Sequence, residues 1–169
     1  MKLLKLFGTV LALTSFSNPA SAQDSGAYGG IGITTYEFDT IGANAKLGYN
    51  FNEYFGVEGE GVLGLSGTTE TIGTNQIKFE TDYTIAAFVV VRLPVSEHVD
   101  LFLRGGYHQT GVSLGVPGTL LDGDFDGGAI GGGIQYDFSS NSGIRAEYTY
   151  LGGSFAEFNT FSLGYVRKF

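Results

Sequence analysis

Hydrophobic and polar residues alternate along much of this 169-residue chain. In the segment IGANAKLGYNF, residues 41–51, the odd positions are apolar or small and the even positions are polar or glycine. The segments FGVEGEGVLGLS (55–66), DLFLRGGYH (100–108) and GIRAEYTY (143–150) alternate in the same way. Because successive side chains of a β-strand point to opposite faces, this pattern predicts strands with one apolar face. Runs of about ten residues are typical of strands that cross a membrane.

Four further segments carry a weaker form of the pattern and complete a set of eight predicted strands: residues 28–36, 83–93, 129–138 and 160–169. In the first of these segments Tyr28 and Tyr36 fall on the face opposite Ile31 and Ile33, which leaves the orientation of that strand open. Eight strands suit the smallest closed transmembrane barrels. We therefore predict an all-β fold, an eight-stranded antiparallel up-and-down transmembrane β-barrel.

The lengths of the predicted connections support the same architecture. Short connections fall near residues 52–53, 94–97 and 139–142, whereas residues 66–78 and 110–127 form long connections and residues 152–159 form one of intermediate length. Outer-membrane barrels join their strands by short periplasmic turns and longer outer loops, so the pattern places the N-terminus on the periplasmic side. Only the first outer connection, residues 37–40, is short.

Aromatic residues gather at two levels, as expected for girdles at the two membrane interfaces. The periplasmic level contains Tyr49, Phe51, Tyr54, Phe55, Tyr136, Phe138 and Phe169, and the outer level contains Tyr36, Phe38, Phe79, Tyr107, Tyr150 and Phe161.

Residues 1–22 have the features of a cleaved secretory signal peptide, with Lys2 and Lys5 before an apolar stretch and Ala20-Ser21-Ala22 at the cleavage site. The predicted division is therefore a signal peptide, residues 1–22, and a barrel domain, residues 23–169. The barrel domain has seven basic and seventeen acidic side chains, a net charge of −10, which argues against nucleic acid as a partner. The chain has no Cys, which excludes disulfides and thiol catalysis.

Four segments carry a resemblance to a known family: FGVEGEG at 55–61, VRLPVSEHVDLFLRGGY at 91–107, RAEY at 145–148 and SLGYVRKF at 162–169. In their order and spacing they resemble the small eight-stranded outer-membrane barrel family of OmpA-like and OmpX-like proteins, also called the outer membrane protein beta-barrel domain. The resemblance implies that the terminal Phe169, with Gly164 five positions earlier, is part of the signal that the barrel-assembly machinery reads. Leu163 and Arg167 depart from the family's alternation in this strand.

Charged residues occupy the polar face of the predicted strands: Lys46, Arg92, Arg104, Arg145 and Lys168, with Glu58, Glu60, Asp82, Asp137 and Glu147. In so narrow a barrel these side chains share one lumen, where charges are tolerated when they are paired. We expect a network that fills the lumen. A gated, porin-like channel for ions or small solutes is the alternative, and a soluble lipocalin-like carrier is the second alternative.

Other candidate chemistry is weak. Asp122, Asp124 and Asp126 before Gly127 resemble the start of a calcium loop, but Gly133 stands where the twelfth-position Glu would be required. We predict an acidic outer loop and leave cation binding open. His108 and Thr110 are the nearest match to an outer-membrane enzyme's dyad, but both point into the lumen, and His98 lies in a periplasmic turn. We therefore predict no enzymatic activity, cofactor or metal site.

Together these observations predict an integral outer-membrane protein of a Gram-negative bacterium, exported by a cleaved signal peptide. Its expected role is structural or surface-interacting, through the outer loops, with outer-membrane lipid and the barrel-assembly machinery as partners. A further extracellular partner could bind the loops. The expected oligomeric state is a monomer.

Overall fold

The computed structural model describes residues 25–37, 40–65, 68–72, 75–116, 119–153 and 157–169. The predicted signal peptide, residues 1–22, lies outside the described residues and stays a prediction. The described strands are β1 (Gly26–Tyr36), β2 (Thr40–Asn50), β3 (Phe55–Gly64), β4 (Thr68–Ile72), β5 (Asn75–Ser96), β6 (Val99–Val116), β7 (Thr119–Ser139), β8 (Ser142–Leu151) and β9 (Phe158–Lys168). In the parts of the chain so described, no helix is long and apolar enough to cross a membrane.

Eight of these strands form a closed antiparallel barrel, as the alternation predicts. Each strand pairs with its neighbour in sequence, except that β3 pairs with β5 and β1 pairs with the last strand, β9. The short strand β4 pairs with the start of β5 and stands outside the closed ring. The fold class is therefore confirmed, with one additional short strand that the sequence did not indicate.

The two faces of the barrel wall are inverted relative to a soluble protein. Ile31 is 67% exposed and Leu103 is 68% exposed on the outer surface, whereas Tyr28, on the opposite face of β1, is 2% exposed inside. This settles the orientation of β1, with its tyrosines inside. An apolar exterior and a charged interior suit a membrane barrel and do not suit a lipocalin-like carrier, whose large apolar side chains point inward.

The predicted periplasmic girdle is confirmed, because all seven of its aromatic side chains are exposed on the outer surface. At the outer level Tyr107 and Phe161 are also exposed there, and Phe38 and the side chain of Phe79 lie outside what is described. Tyr36 was assigned to this girdle wrongly. It is buried in the lumen, because it shares the face of β1 that carries Tyr28.

The outer connections differ from the predicted loops. Strands β5, β6 and β7 run for 22, 18 and 21 residues, far more than the barrel wall requires. Residues 68–72, 75–82, 109–116 and 119–128 extend above the barrel as a four-stranded sheet in the order β4-β5-β6-β7, which we call the projecting sheet. The predicted loop over residues 110–127 is therefore mostly strand, closed by a two-residue connection whose sequence is Pro117-Gly118.

Candidate functional site

A network of six buried charges fills the middle of the lumen. Its members are Lys46, Arg104 and Arg145, with Glu58, Glu60 and Glu147. They come from four strands, β2, β3, β6 and β8, and each is at most 8% exposed. Alternation explains how they meet, since each occupies an inward position of its strand. The three positive and three negative charges compensate one another, as buried charges require.

The ion pairs cross the lumen and are not confined to neighbouring strands. Glu58 accepts hydrogen bonds from Arg104 Nη1 at 2.9 Å and from Arg145 Nη1 at 2.7 Å. Arg104 also binds Glu60, and Lys46 binds Glu147. Arg145 Nε lies 2.9 Å from Glu147 Oε2, but the N–H group does not point at that oxygen, so this contact is electrostatic without being a hydrogen bond.

Aromatic rings and hydroxyl groups hold the guanidinium groups in place. The Phe88 ring lies under Arg104, with 4.1 Å between the guanidinium carbon and the ring centroid, and Phe102 lies under Arg145 at 3.8 Å. Thr149 Oγ1 accepts hydrogen bonds from Arg104 Nε at 3.2 Å and Nη2 at 2.6 Å. These contacts leave little freedom for the arginines, and the predicted charge-filled lumen is confirmed.

The other four charged residues predicted for the lumen lie outside this six-charge network. Arg92 is buried over the Tyr28 ring, but its Nε and Nη2 atoms make no hydrogen bond to any described residue. Lys168 and Asp137 form a 2.5 Å ion pair that is partly exposed at the periplasmic mouth. Asp82 was wrongly assigned to the lumen. A register shift between Thr81 and Tyr83 turns its side chain outward, where Ser113 donates a 2.6 Å hydrogen bond to it.

A chain of hydrogen bonds closes the outer half of the lumen. Tyr36 contacts Thr84 at 2.8 Å, Thr84 contacts Thr110 at 2.9 Å, and Thr110 contacts His108 Nδ1 at 3.1 Å. His108 Nε2 reaches the carbonyl of Gly152 at 3.2 Å. His108 and Thr110 therefore point into the lumen as predicted, and His98 lies in the short turn between β5 and β6, also as predicted.

The outward face of the projecting sheet is acidic. Asp124 accepts a 3.1 Å hydrogen bond from Tyr83, and Asp126 accepts one from Tyr107. Among the described side chains, which do not include that of Asp122, no three His, Cys, Asp or Glu residues are grouped to hold a metal ion.

Solved structures share this architecture. The attachment invasion locus protein Ail of Yersinia pestis, in complex with the heparin analogue sucrose octasulfate, is 23% identical, with a TM-score of 0.62 over 86% of this chain and 99% of Ail. The N-terminal barrel domain of Pseudomonas aeruginosa OprF is 11% identical, with a TM-score of 0.69 over 87% and 98% of the two chains. For P. aeruginosa OprG the identity is 12% and the TM-score 0.61, over 86% and 97%. At these identities the likeness concerns the fold.

A search of curated protein sequences gave no match. Residues 8–169 match the family described as outer membrane protein beta-barrel domain, which agrees with the closed barrel, the apolar exterior and the charged lumen. This chain belongs to the outer membrane protein beta-barrel family, and its place is the outer membrane.

Proposed function

We propose that this barrel is a surface-interaction protein that anchors the projecting sheet in the outer membrane and presents it to partners outside the cell. The observation that carries this proposal is the length of β5, β6 and β7, which continue as strands well beyond the closed ring. A barrel that only had to close needs about ten residues per strand. The additional residues build a second surface, exposed to the outside.

The filled lumen supports this function over transport. A six-charge network with stacked aromatic rings crosses the barrel, and the hydrogen-bonded chain from Tyr36 to His108 lies above it. Eight strands enclose a space that side chains just fill, so little room is left for solutes. His108 and Thr110 are buried, and their hydrogen bonds go to each other, to Thr84 and to the Gly152 carbonyl; the absence of a carboxylate among these partners supports a protein without enzymatic activity.

The proposal includes one further partner and an oligomeric state. We infer that the barrel-assembly machinery reads the terminal strand through Phe169, whose ring is 63% exposed on the outer surface while its N–H binds Ala27. We also infer a monomer, because pairing of β1 with β9 closes the ring within one chain. The complex of Ail with a heparin analogue is an example of a barrel of this fold with an external ligand.

Adhesion of whole cells tests the proposal. One strain produces the full chain, and a second produces a chain in which residues 68–82 and 110–127 are replaced by two-residue turns. A panel of immobilised extracellular proteins and epithelial cells is the target. We expect the full chain to adhere to at least one target and the shortened chain to lose that adhesion, with both barrels heat-modifiable in the outer membrane. Equal adhesion by the two strains would refute the proposal.

A further inference from the structure

Arg92 is a buried cation in the periplasmic half of the lumen. It is an inward residue of β5, close to the periplasmic end of that strand at Ser96, and it is 5% exposed. Its guanidinium carbon lies 4.9 Å from the centroid of the Tyr28 ring, and the Tyr28 hydroxyl is bound to Glu58 of the charged network. Arg92 therefore lies between that network and the periplasmic mouth of the barrel.

One edge of the Arg92 guanidinium group has no partner among the residues that the structure describes. Its buried Nε and Nη2 atoms make no hydrogen bond to any of them. The N–H groups of these two atoms lie side by side, and arginine uses this edge to bind both oxygens of one carboxylate. Arg104 shows the same edge in use, since its Nε and Nη2 atoms both donate to Thr149 Oγ1. Arg92 thus presents an intact anion-binding edge inside the lumen.

The charge of Arg92 also lacks a negative charge in contact. In the described parts of the chain no carboxylate forms an ion pair with it, whereas the charges of the network compensate one another. Asp100 of β6 is the nearest acidic residue by register, two positions from Phe102, which pairs with Arg92, but it is only half-buried. Water can accept the two N–H groups. A buried cation also needs an opposite charge, which offsets the cost of removing it from bulk water.

We propose that Arg92 holds a small monovalent anion, such as chloride or formate, in the periplasmic half of the lumen. The anion accepts hydrogen bonds from Nε and Nη2 and supplies the missing negative charge, while the Tyr28 ring covers one face of the guanidinium group. Side chains fill so narrow a lumen, so only a small anion fits.

The site communicates with the periplasm and not with the outside. The ion pair between Lys168 and Asp137 at the periplasmic mouth is partly exposed, so an anion can enter there. The charged network and the hydrogen-bonded chain from Tyr36 to His108 lie on the other side of Arg92. The bound anion is therefore a resident of a closed barrel, and the site gives no path across the membrane.

The test follows the Nε–H resonances of the arginines by NMR, with the full chain in lipid nanodiscs. Chloride replaces gluconate, a larger anion, at constant ionic strength, and a second series uses formate in place of chloride. We expect the Arg92 resonance, assigned by its loss in Arg92→Lys, to shift and saturate. The Arg104 resonance should stay in place, because its Nε–H already binds Thr149. Exposed Arg167 reports the general effect of the salt.

Urea unfolding in the same two salts measures the site independently. An anion that binds only the folded barrel lowers the ratio of unfolded to folded protein, roughly tenfold at about ten times its Kd. Arg92→Gln should abolish the difference between the salts. Arg167→Gln is the matched control, since it removes an exposed charge near the periplasmic end of β9, and it should retain the difference. Asp100→Asn should increase the affinity for chloride, because it removes a negative charge near the site.

Three outcomes would overturn the inference. One is an Arg92 resonance that does not respond to either anion, which leaves water as the partner of the edge. Another is an unsaturated shift that Arg167 shares, which indicates screening by salt. The third is an Asp100→Asn protein that loses stability and gains no chloride affinity, which assigns Asp100 as the counter-charge. A saturable response to formate alone supports the site and restricts its ligand to carboxylates. If Arg92→Gln does not fold, the resonances of the unaltered chain and Asp100→Asn decide the question.

Discussion

The Tyr28 hydroxyl donates a 2.7 Å hydrogen bond to Glu58 across an entire intervening strand. Tyr28 lies on β1 and Glu58 on β3, and Gly48 of β2 stands between them in the same row of the sheet. The arrangement is repeated at the base of the projecting sheet, on its outward face, where Tyr83 of β5 reaches Asp124 of β7 over Gly111 of β6. In both rows the glycine leaves the space that the tyrosine ring occupies.

Gly48→Ala should destabilise the barrel by about 1–3 kcal/mol, since a Cβ at this position overlaps the Tyr28 ring and forces it away from Glu58. Urea titration in lipid bilayers measures the change in the free energy of unfolding. Gly61→Ala is the matched control, because a Cβ there meets no atom within 4 Å. Equal effects of the two substitutions would show that the close approach of Tyr28 carries no energetic weight.

Arg145→Ala should destabilise the protein by about 3–5 kcal/mol, with a smaller loss if water enters, because Glu58 and Glu147 keep their buried charges and lose a cation. Arg92→Ala is the comparison. Arg92 contacts no carboxylate among the described ion pairs, so its removal should cost less.

The intact barrel should show little or no steady conductance in planar bilayers, since the charged network and the layer above it fill the lumen. Steady, ion-selective channels in the unaltered protein, with Arg145→Ala changing selectivity but not stability, would instead favour the porin-like alternative.

Leu47→Arg should cost up to about 2–4 kcal/mol in bilayers, because Leu47 is half exposed to lipid on the outer surface of β2. Val95→Arg is the control. Val95 is also exposed, but it lies next to the periplasmic end of β5, where a charge costs about 0–1 kcal/mol. A larger loss for Val95→Arg than for Leu47→Arg would contradict the assigned depth of the two positions.

Deletion of Phe169 should lower the amount of heat-modifiable protein in the outer membrane at native expression, if the assembly machinery reads the terminal aromatic residue. Phe51→Ala removes another exposed aromatic of the same girdle and leaves the terminal strand intact, so its level should stay near that of the unaltered protein. Similar levels for the deletion and the unaltered chain would show that the signal lies elsewhere in the strand.

Alternation along the sequence was enough to predict the eight barrel strands and most of their faces. In a membrane barrel the residues that face lipid are apolar and those that face the lumen are polar, so the alternation is strong. It also placed Lys46, Glu58 and Arg145 in one lumen. It could not pair them, because pairing depends on the register of strands that are distant in sequence. The face of Asp82 was missed for a related reason, a local register shift that the pattern does not reveal.

The projecting sheet was missed because residues 66–78 and 110–127 were interpreted as long outer loops. Val112, Leu114 and Val116 alternate with Ser113 and Gly115, but this run of five residues is only about half as long as a membrane-crossing strand. A second local signal was the Pro117-Gly118 pair in the middle of a long predicted loop. Such a pair is typical of a tight turn, and it fits two strands that continue to meet outside the membrane.

Closure of the barrel by its first and last strands constrains the order of assembly. The pair between Tyr28 and Lys168 joins the two ends of the barrel sequence, and the lumen charges come from strands spread between those ends. Until that final pair forms, an open sheet exposes charges and unpaired backbone groups that hydrocarbon cannot accommodate. Partial insertion, strand by strand, is therefore unfavourable. The barrel should enter the bilayer as one cooperative unit, and an interrupted chain should remain outside it.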